Sequence, residues 1–143
     1  MATSDPGLFN LVRAWRTKAL LDYQAAQHLA GMGEEQFLNA AYHCQQAIEK
    51  GMKSFLTYHQ VAFGKTHSLE FLGSLCEEID PALKELIDPV TRMTEYESSS
   101  RYPDGEPLDL DRAEVDRSLV WVERWLIWLD ETLPVETRPD LIR

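Results

Sequence analysis

Cysteine is scarce in this 143-residue chain, with only Cys44 and Cys76 present. Two thiols are too few to staple a small fold. The N-terminal Met-Ala-Thr-Ser-Asp-Pro-Gly has neither a basic segment nor an apolar stretch of the secretory kind. Free thiols in a reducing cytoplasm are therefore expected. No apolar run approaches the ~20 residues that span a bilayer, so no membrane association is expected. Seven glycines and seven prolines are too few for a collagen-like or low-complexity chain. Positive charge is also in short supply: 14 Lys and Arg against 24 Asp and Glu give a net charge of −10. A protein that grips long stretches of phosphate backbone usually has a basic footprint. This balance disfavours extended nucleic-acid binding and leaves room for a small local site.

The acidity is concentrated. Residues 1–76 carry six basic and six acidic side chains, and residues 77–116 carry four and thirteen. What the chain has in abundance is helical periodicity. From about Gly7 to Ala30, Leu8, Leu11, Val12, Trp15, Ala19, Ala26 and Leu29 share one face, with Pro6 as a candidate first helical residue. A second helix is expected from Glu34 to Ala62. Phe37, Ala41, Cys44, Ile48, Gly51, Phe55 and Tyr58 alternate steps of four and three along it, as in a bundle seam. Gly51 on that seam implies close approach of a neighbouring helix, since it costs about 1 kcal/mol of helix propensity against Ala. Thr66 is a candidate N-cap for a third helix over His67 to Ile79. Asp80-Pro81 and Asp88-Pro89 restart short helices. Pro103, Gly105 and Pro107 mark a loop over Ser98 to Asp109. Asp111 and Glu114 have capping-box spacing for a last helix ending near Thr132. The expected fold is one all-α domain, an antiparallel up-and-down bundle of four main helices plus one or two short ones, with residues 134–143 as a flexible tail.

The last helix carries two apolar stripes. Val115, Leu119, Val122, Leu126, Leu129 and Leu133 form a core face, and Trp121, Trp125 and Trp128 lie about 100° round from it. The tryptophans either pack within the protomer or form a subunit interface, where Trp is enriched. The interface reading is slightly preferred.

Metal chemistry finds no support. None of His28, His43, His59 and His67 has a Glu three residues before it, as a di-iron bundle requires, and two cysteines make no zinc spacing. No cofactor is expected. There is no phosphate-binding glycine loop and no nucleophile elbow. Cys44 lies on the apolar stripe and reads as a packed thiol. Two polar features remain. His43, Gln46, Lys50 and Lys53 fall within an arc of about 80° on the second helix, either a solvated outer face or a cluster able to hold an anion or a partner carboxylate. Arg101-Tyr102-Pro103-Asp104 presents a guanidinium fork suited to phosphate, on a segment stiffened by proline, or else a turn locked by an Arg–Asp pair.

These pieces together resemble a family. Ala41-Tyr42-His43-Cys44-Gln45-Gln46-Ala47-Ile48-Glu49-Lys50, followed by Lys53 and Leu56, resembles the second helix of HEPN domains (higher eukaryotes and prokaryotes nucleotide-binding). Gly64-Lys65-Thr66-His67-Ser68-Leu69 resembles their next turn, and Arg101-Tyr102-Pro103-Asp104 resembles an element of their small stand-alone members. The resemblance implies a helical bundle, commonly homodimeric, often paired with a nucleotidyltransferase-like antitoxin, and in many members a metal-independent endoribonuclease. The implied catalytic signature is Arg, four to six residues, then His. Arg101 matches, but Glu106 stands where the His would be after a four-residue gap. A loop carboxyl titrates near ~4.3 and is a poor proton shuttle at neutral pH.

The sequence therefore points to a dimeric nucleotide- or anion-binding, or partner-binding, module of a toxin–antitoxin-like system with a degraded ribonuclease motif. Arg101, Tyr102, Asp104, Lys50 and Lys53 would border the ligand. The alternatives are an active RNA-cleaving toxin, using Arg101 with Glu106 or with a rearranged His43 or His67, and a purely structural dimerisation module.

Overall fold

The computed structural model describes residues 5–93 and 110–140. Five α-helices and four short 3₁₀ turns occur among these residues, and no strand. Helix α1 (Pro6–Ala30) begins where Asp5 accepts from the amides of Gly7 and Leu8, with Pro6 at the first helical position. The connection at Gly31–Gly33 and a 3₁₀ turn at Glu34–Gln36 lead into α2 (Phe37–Tyr58). Helices α3 (Leu69–Ile79), α4 (Lys84–Ile87) and α5 (Arg112–Thr132) follow, with 3₁₀ turns at Pro81–Leu83, Asp88–Met93 and Val135–Thr137. Asp111 caps α5 by accepting from the amide of Glu114 at 2.8 Å, as the spacing of those residues implies.

Side-chain pairs fix the directions. Asp22 meets Lys50 while Trp15 meets Lys53, so α1 and α2 are antiparallel. Tyr23 meets Glu123 while Arg16 meets Asp130, so α1 and α5 are antiparallel as well. The result is the expected up-and-down arrangement. Its core is built from Val12, Ala19 and Leu20 of α1, Cys44, Ile48, Met52 and Phe55 of α2, Leu69 and Leu72 of α3, and Val122, Trp125 and Leu129 of α5. Gly51 does mark a close approach: a Cβ there would stand 3.3 Å from Leu129 Cδ1. Gly73, which the sequence pattern did not single out, is tighter. A Cβ there would stand 2.6 Å from Ile87 Cγ2, so glycine lets the α4 turn rest on α3.

Several boundaries differ from expectation for identifiable reasons. Helix α2 stops at Tyr58 rather than Ala62. Gln60 adopts φ +57°, its amide donates to Thr57 O at 3.0 Å, and the Val61 amide donates to Leu56 O at 2.9 Å. This is a Schellman ending, usually signalled by glycine, with glutamine in the left-handed position. Ser68, not Thr66, caps α3 by accepting from the Phe71 amide at 3.1 Å, while Thr66 accepts from the Ser68 amide. Leu11 is exposed, and Phe9, Leu20 and Tyr23 are buried in its stead, because α1 turns its face to α5 as well as to α2.

The segment after α5 is not a flexible tail through residue 140. Its 3₁₀ turn docks on α1, Thr137 is fully buried, and Arg16 donates to Thr137 Oγ1 at 2.8 Å. Arg16 is itself buried and also pairs with Asp130, so this short segment completes the surroundings of an internal cation. Among the described residues no helix is long and apolar enough to cross a membrane.

Candidate functional site

The seam between α1 and α2 holds most of the internal ionic pairing. Asp22 on α1 accepts from Lys50 Nζ and hydrogen-bonds His43 Nδ1 at 2.9 Å. Farther along α2, Glu49 is almost fully buried. Its carboxylate accepts from Lys53 Nζ at 3.1 Å, from Gln45 Nε2 at 3.3 Å and from His67 Nδ1 at 3.1 and 3.2 Å to its two oxygens. Gln45 is in turn held by Gln46 at 2.8 Å. A buried carboxylate needs such partners, because an unpaired charge away from water is costly. Glu49 and Lys53 are one helical turn apart, and His67 comes from the connection that leads into α3.

Lys53 also organises two aromatic rings. Its ammonium lies 5.3 Å from the centroid of Trp15 and 5.6 Å from that of Phe63. The two rings meet edge to face, with centroids 6.1 Å apart. Both are half-buried, so each retains an accessible edge or face. Lys18, one turn along α1, places its ammonium 6.0 Å from the same Trp15 ring and is exposed. Trp15, Glu49, Lys53, Phe63 and His67 thus form one cluster drawn from α1, α2 and the α2–α3 connection. Its side chains supply a stacking surface, cations and an imidazole whose inner nitrogen is held by a carboxylate.

The polar strip on α2 is therefore not a solvated outer face. Gln46 and Lys53 are buried, while His43 and Lys50 are partly covered and tied to Asp22. Periodicity placed these residues on one arc; the neighbouring α1 and the following connection decide that the arc is covered. Trp15, Glu49, Phe63 and His67 were not grouped by the sequence reading. The only local hint was the i,i+4 spacing of Glu49 and Lys53, a pairing arrangement common on helices. Arg101, Tyr102, Asp104 and Glu106 lie outside the described residues.

The tryptophans of α5 do not form one surface. Trp125 is 1% exposed and its indole Nε1 donates to Leu86 O at 2.9 Å, which makes it a core residue of the protomer. Trp128 packs edge-on to Phe55 at 5.0 Å and to Trp125 at 5.8 Å. Trp121 is partly covered, with the Arg124 guanidinium 4.6 Å over its ring. Bundle packing accounts for Trp125 and for much of Trp128, where an interface role was expected of all three.

Burial pushes the Cys44 and Cys76 thiols up to about 12, with Asp22 adding to the effect at Cys44. Both are closed to thiolate chemistry at neutral pH. Desolvation lowers the pKa of His59, which caps α2 and packs against Phe55. Among the described residues no three His, Cys, Asp or Glu side chains come together as a metal site would need.

A family model for the HEPN domain matches residues 12–131, which takes in all five helices apart from the first six residues of α1 and the last of α5. The chain belongs to the HEPN domain family. No match was found to a curated protein or to a solved structure. Within this HEPN domain Glu49, Lys53 and His67 of the cluster come from two of the three segments that carried the resemblance in the sequence, and the third, residues 101–104, lies outside the described residues.

Proposed function

We propose that this HEPN protein is a nucleotide- or anion-binding module that acts as a homodimer within a toxin–antitoxin-like pair, beside a nucleotidyltransferase-like partner. The observation that carries the ligand class is the pair of half-buried rings, Trp15 and Phe63, that meet edge to face beside Lys53. A nucleobase has a π-face, and stacking on such a ring contributes roughly 1–3 kcal/mol per base with little sequence preference. Exposed Lys18 beside Trp15, and exposed Lys65 two residues after Phe63, provide cations for a phosphate. They stand out in a chain whose overall charge is −10. Arg101, Tyr102 and Asp104 remain assigned to the ligand through the family resemblance, and Lys50 through its neighbourhood on α2. The dimer reading is supported by Val120 and Ile127, large apolar residues exposed seven positions apart on α5.

The expected chemistry is binding without efficient cleavage. Glu106 replaces the group that would shuttle a proton at neutral pH. Titration with AMP is expected to raise the melting temperature through preferential binding to the folded state. Trp15→Leu, which removes the stacking ring while keeping an apolar side chain, is expected to abolish that rise. The absence of any shift in the wild type at millimolar AMP would overturn the ligand assignment. Sedimentation at micromolar concentration tests the dimer, and a monomer there would overturn that part.

A further inference from the structure

The Lys53 cluster is electrically balanced before any ligand arrives. Glu49 contributes a carboxylate, Lys53 an ammonium at 3.1 Å from it, and His67 a ring whose Nδ1 is spoken for by the same carboxylate. The Glu49 side chain is 3% exposed, that of Lys53 7%, and that of His67 54%. Lys53 is thus an internal counter-ion and makes a poor first contact for an incoming phosphate. The side chain that faces solvent is His67, and Nε2 is the ring nitrogen that Glu49 does not hold.

In a neutral imidazole that donates from Nδ1 to Glu49, Nε2 holds a lone pair and accepts hydrogen bonds. A phosphate oxygen also only accepts, so the two repel. Adding a proton to Nε2 turns it into a charged donor without disturbing the bond to Glu49, since both nitrogens donate in the imidazolium. Charge-assisted bonds of this kind are about twice as strong as neutral ones.

We propose that His67 is the phosphate-contacting residue of this site and that a nucleotide binds there together with one proton. The inference rests on the nucleotide-binding reading above. The charged group that meets His67 is Glu49, which also holds Lys53; Lys18 lies against the Trp15 ring of the same cluster, and Lys65 and Glu70 are neighbours of His67 in the sequence. Histidine is the residue type that exchanges a proton between pH 5 and 8. Lys18 and Lys65 attract the anion at every pH in that range, and His67 decides how affinity changes across it. Glu49 keeps the ring oriented in both protonation states. The ligand class is a phosphate ester with an aromatic base, the phosphate on His67 and the base against Trp15 or Phe63.

The probe is the dinucleotide d(ApA), whose phosphodiester keeps a single charge throughout the range and whose sugar lacks the 2′-hydroxyl. Calorimetric titration of the full chain at pH 6, 7 and 8, in two buffers of different ionisation enthalpy, reads affinity and proton uptake together. Affinity is expected to fall by up to about tenfold per pH unit once the imidazole is neutral. Uptake of up to one proton per bound dinucleotide is expected over the same range. His67→Gln should flatten the pH dependence and remove the proton uptake. His28→Gln, an exposed histidine on the last turns of α1, should leave both in place. Circular dichroism and thermal melting of His67→Gln establish that the variant is folded. Tight binding that is independent of pH, with no proton uptake, overturns the proposal and leaves the nucleotide reading standing. A pH dependence that survives in folded His67→Gln also overturns it, and assigns the proton elsewhere, with His43 the next group to replace. No binding of d(ApA) at any of the three pH values overturns both readings.

Discussion

Replacing Glu49 tests the central claim that α2 and the connection before α3 are joined by a buried, compensated charge. Glu49→Leu removes the carboxylate and strands Lys53, whose side chain is 7% exposed and whose remaining neighbours are the rings of Trp15 and Phe63. Breaking a buried pair by deleting one partner costs about 3–5 kcal/mol, and the cation–π contacts retain at most about 2 kcal/mol for the ammonium. The amide of buried Gln45 also loses its acceptor, a further penalty of about 1–3 kcal/mol. Against a total stability of about 5–15 kcal/mol, a loss of about 3–5 kcal/mol is a large fraction. Urea unfolding monitored by circular dichroism reads it directly as a fall in the midpoint at constant slope. Glu49→Leu with Lys53→Met removes both charges, and an apolar pair of similar volume is often neutral relative to the ion pair. The double variant is therefore expected to be more stable than Glu49→Leu alone, by about 2 kcal/mol or more. If the losses simply add, or if Glu49→Leu costs less than about 0.5 kcal/mol, the pair behaves as a solvated surface pair and the argument fails.

Three further outcomes follow from particular contacts. Gly73→Ala should destabilise by about 1–3 kcal/mol through overpacking against Ile87. Gly51→Ala, which meets only the end of Leu129 and gains helix propensity, should fall within about 1 kcal/mol of the wild type; equal losses at both sites in urea unfolding would contradict the difference in clearance. Cys44 and Cys76, with thiols pushed up to about 12, should resist an aromatic disulfide reagent at pH 8 and react only as the chain unfolds in denaturant; fast labelling of the native protein would refute their burial. The pKa of His59 is lowered in the folded state, so below the ordinary imidazole value of ~6.5 the unfolded chain binds more protons and this residue's contribution to stability declines with falling pH. His59→Gln should shallow the loss of stability between pH 7 and pH 5, and an unchanged slope would refute the assignment.

The helices and their caps were legible in the sequence because their causes are local. Asp5-Pro6, Asp111 with Glu114, and Asp80-Pro81 act on amides within three residues, so their spacing carries the information. The α2 stripe, with Gly51 on it, likewise specified a buried seam. The resemblance carried by residues 41–56, 64–69 and 101–104 pointed to the family whose model spans residues 12–131. Where local signals were missing or ambiguous, the reading missed. Gln60 takes a left-handed position without the glycine that usually announces one, and two hydroxyls, Thr66 and Ser68, compete for the start of α3.

The candidate site was only partly visible, since its members are far apart in the chain. Lys53 finds Trp15 across 38 positions, Asp22 finds Lys50 across 28, and Glu49 finds His67 across 18. Periodicity states which residues share a face of α2 but not whether that face meets solvent or another helix. A strip of His, Gln and Lys has the same pattern in both cases, and only the tertiary structure shows that Asp22 of α1 and the buried Glu49 of α2 itself neutralise the cations there. The tryptophans of α5 present the same ambiguity. An indole stripe suits a subunit contact or a core equally well on composition. Trp125 is internal because the turn around α4 brings the carbonyl of Leu86 within reach of its N–H and covers its ring. Helix formation is set by neighbours in sequence, so the chain alone determined the helices. Burial and charge pairing are set by neighbours in space, so the tertiary structure alone decided which side chains make the site.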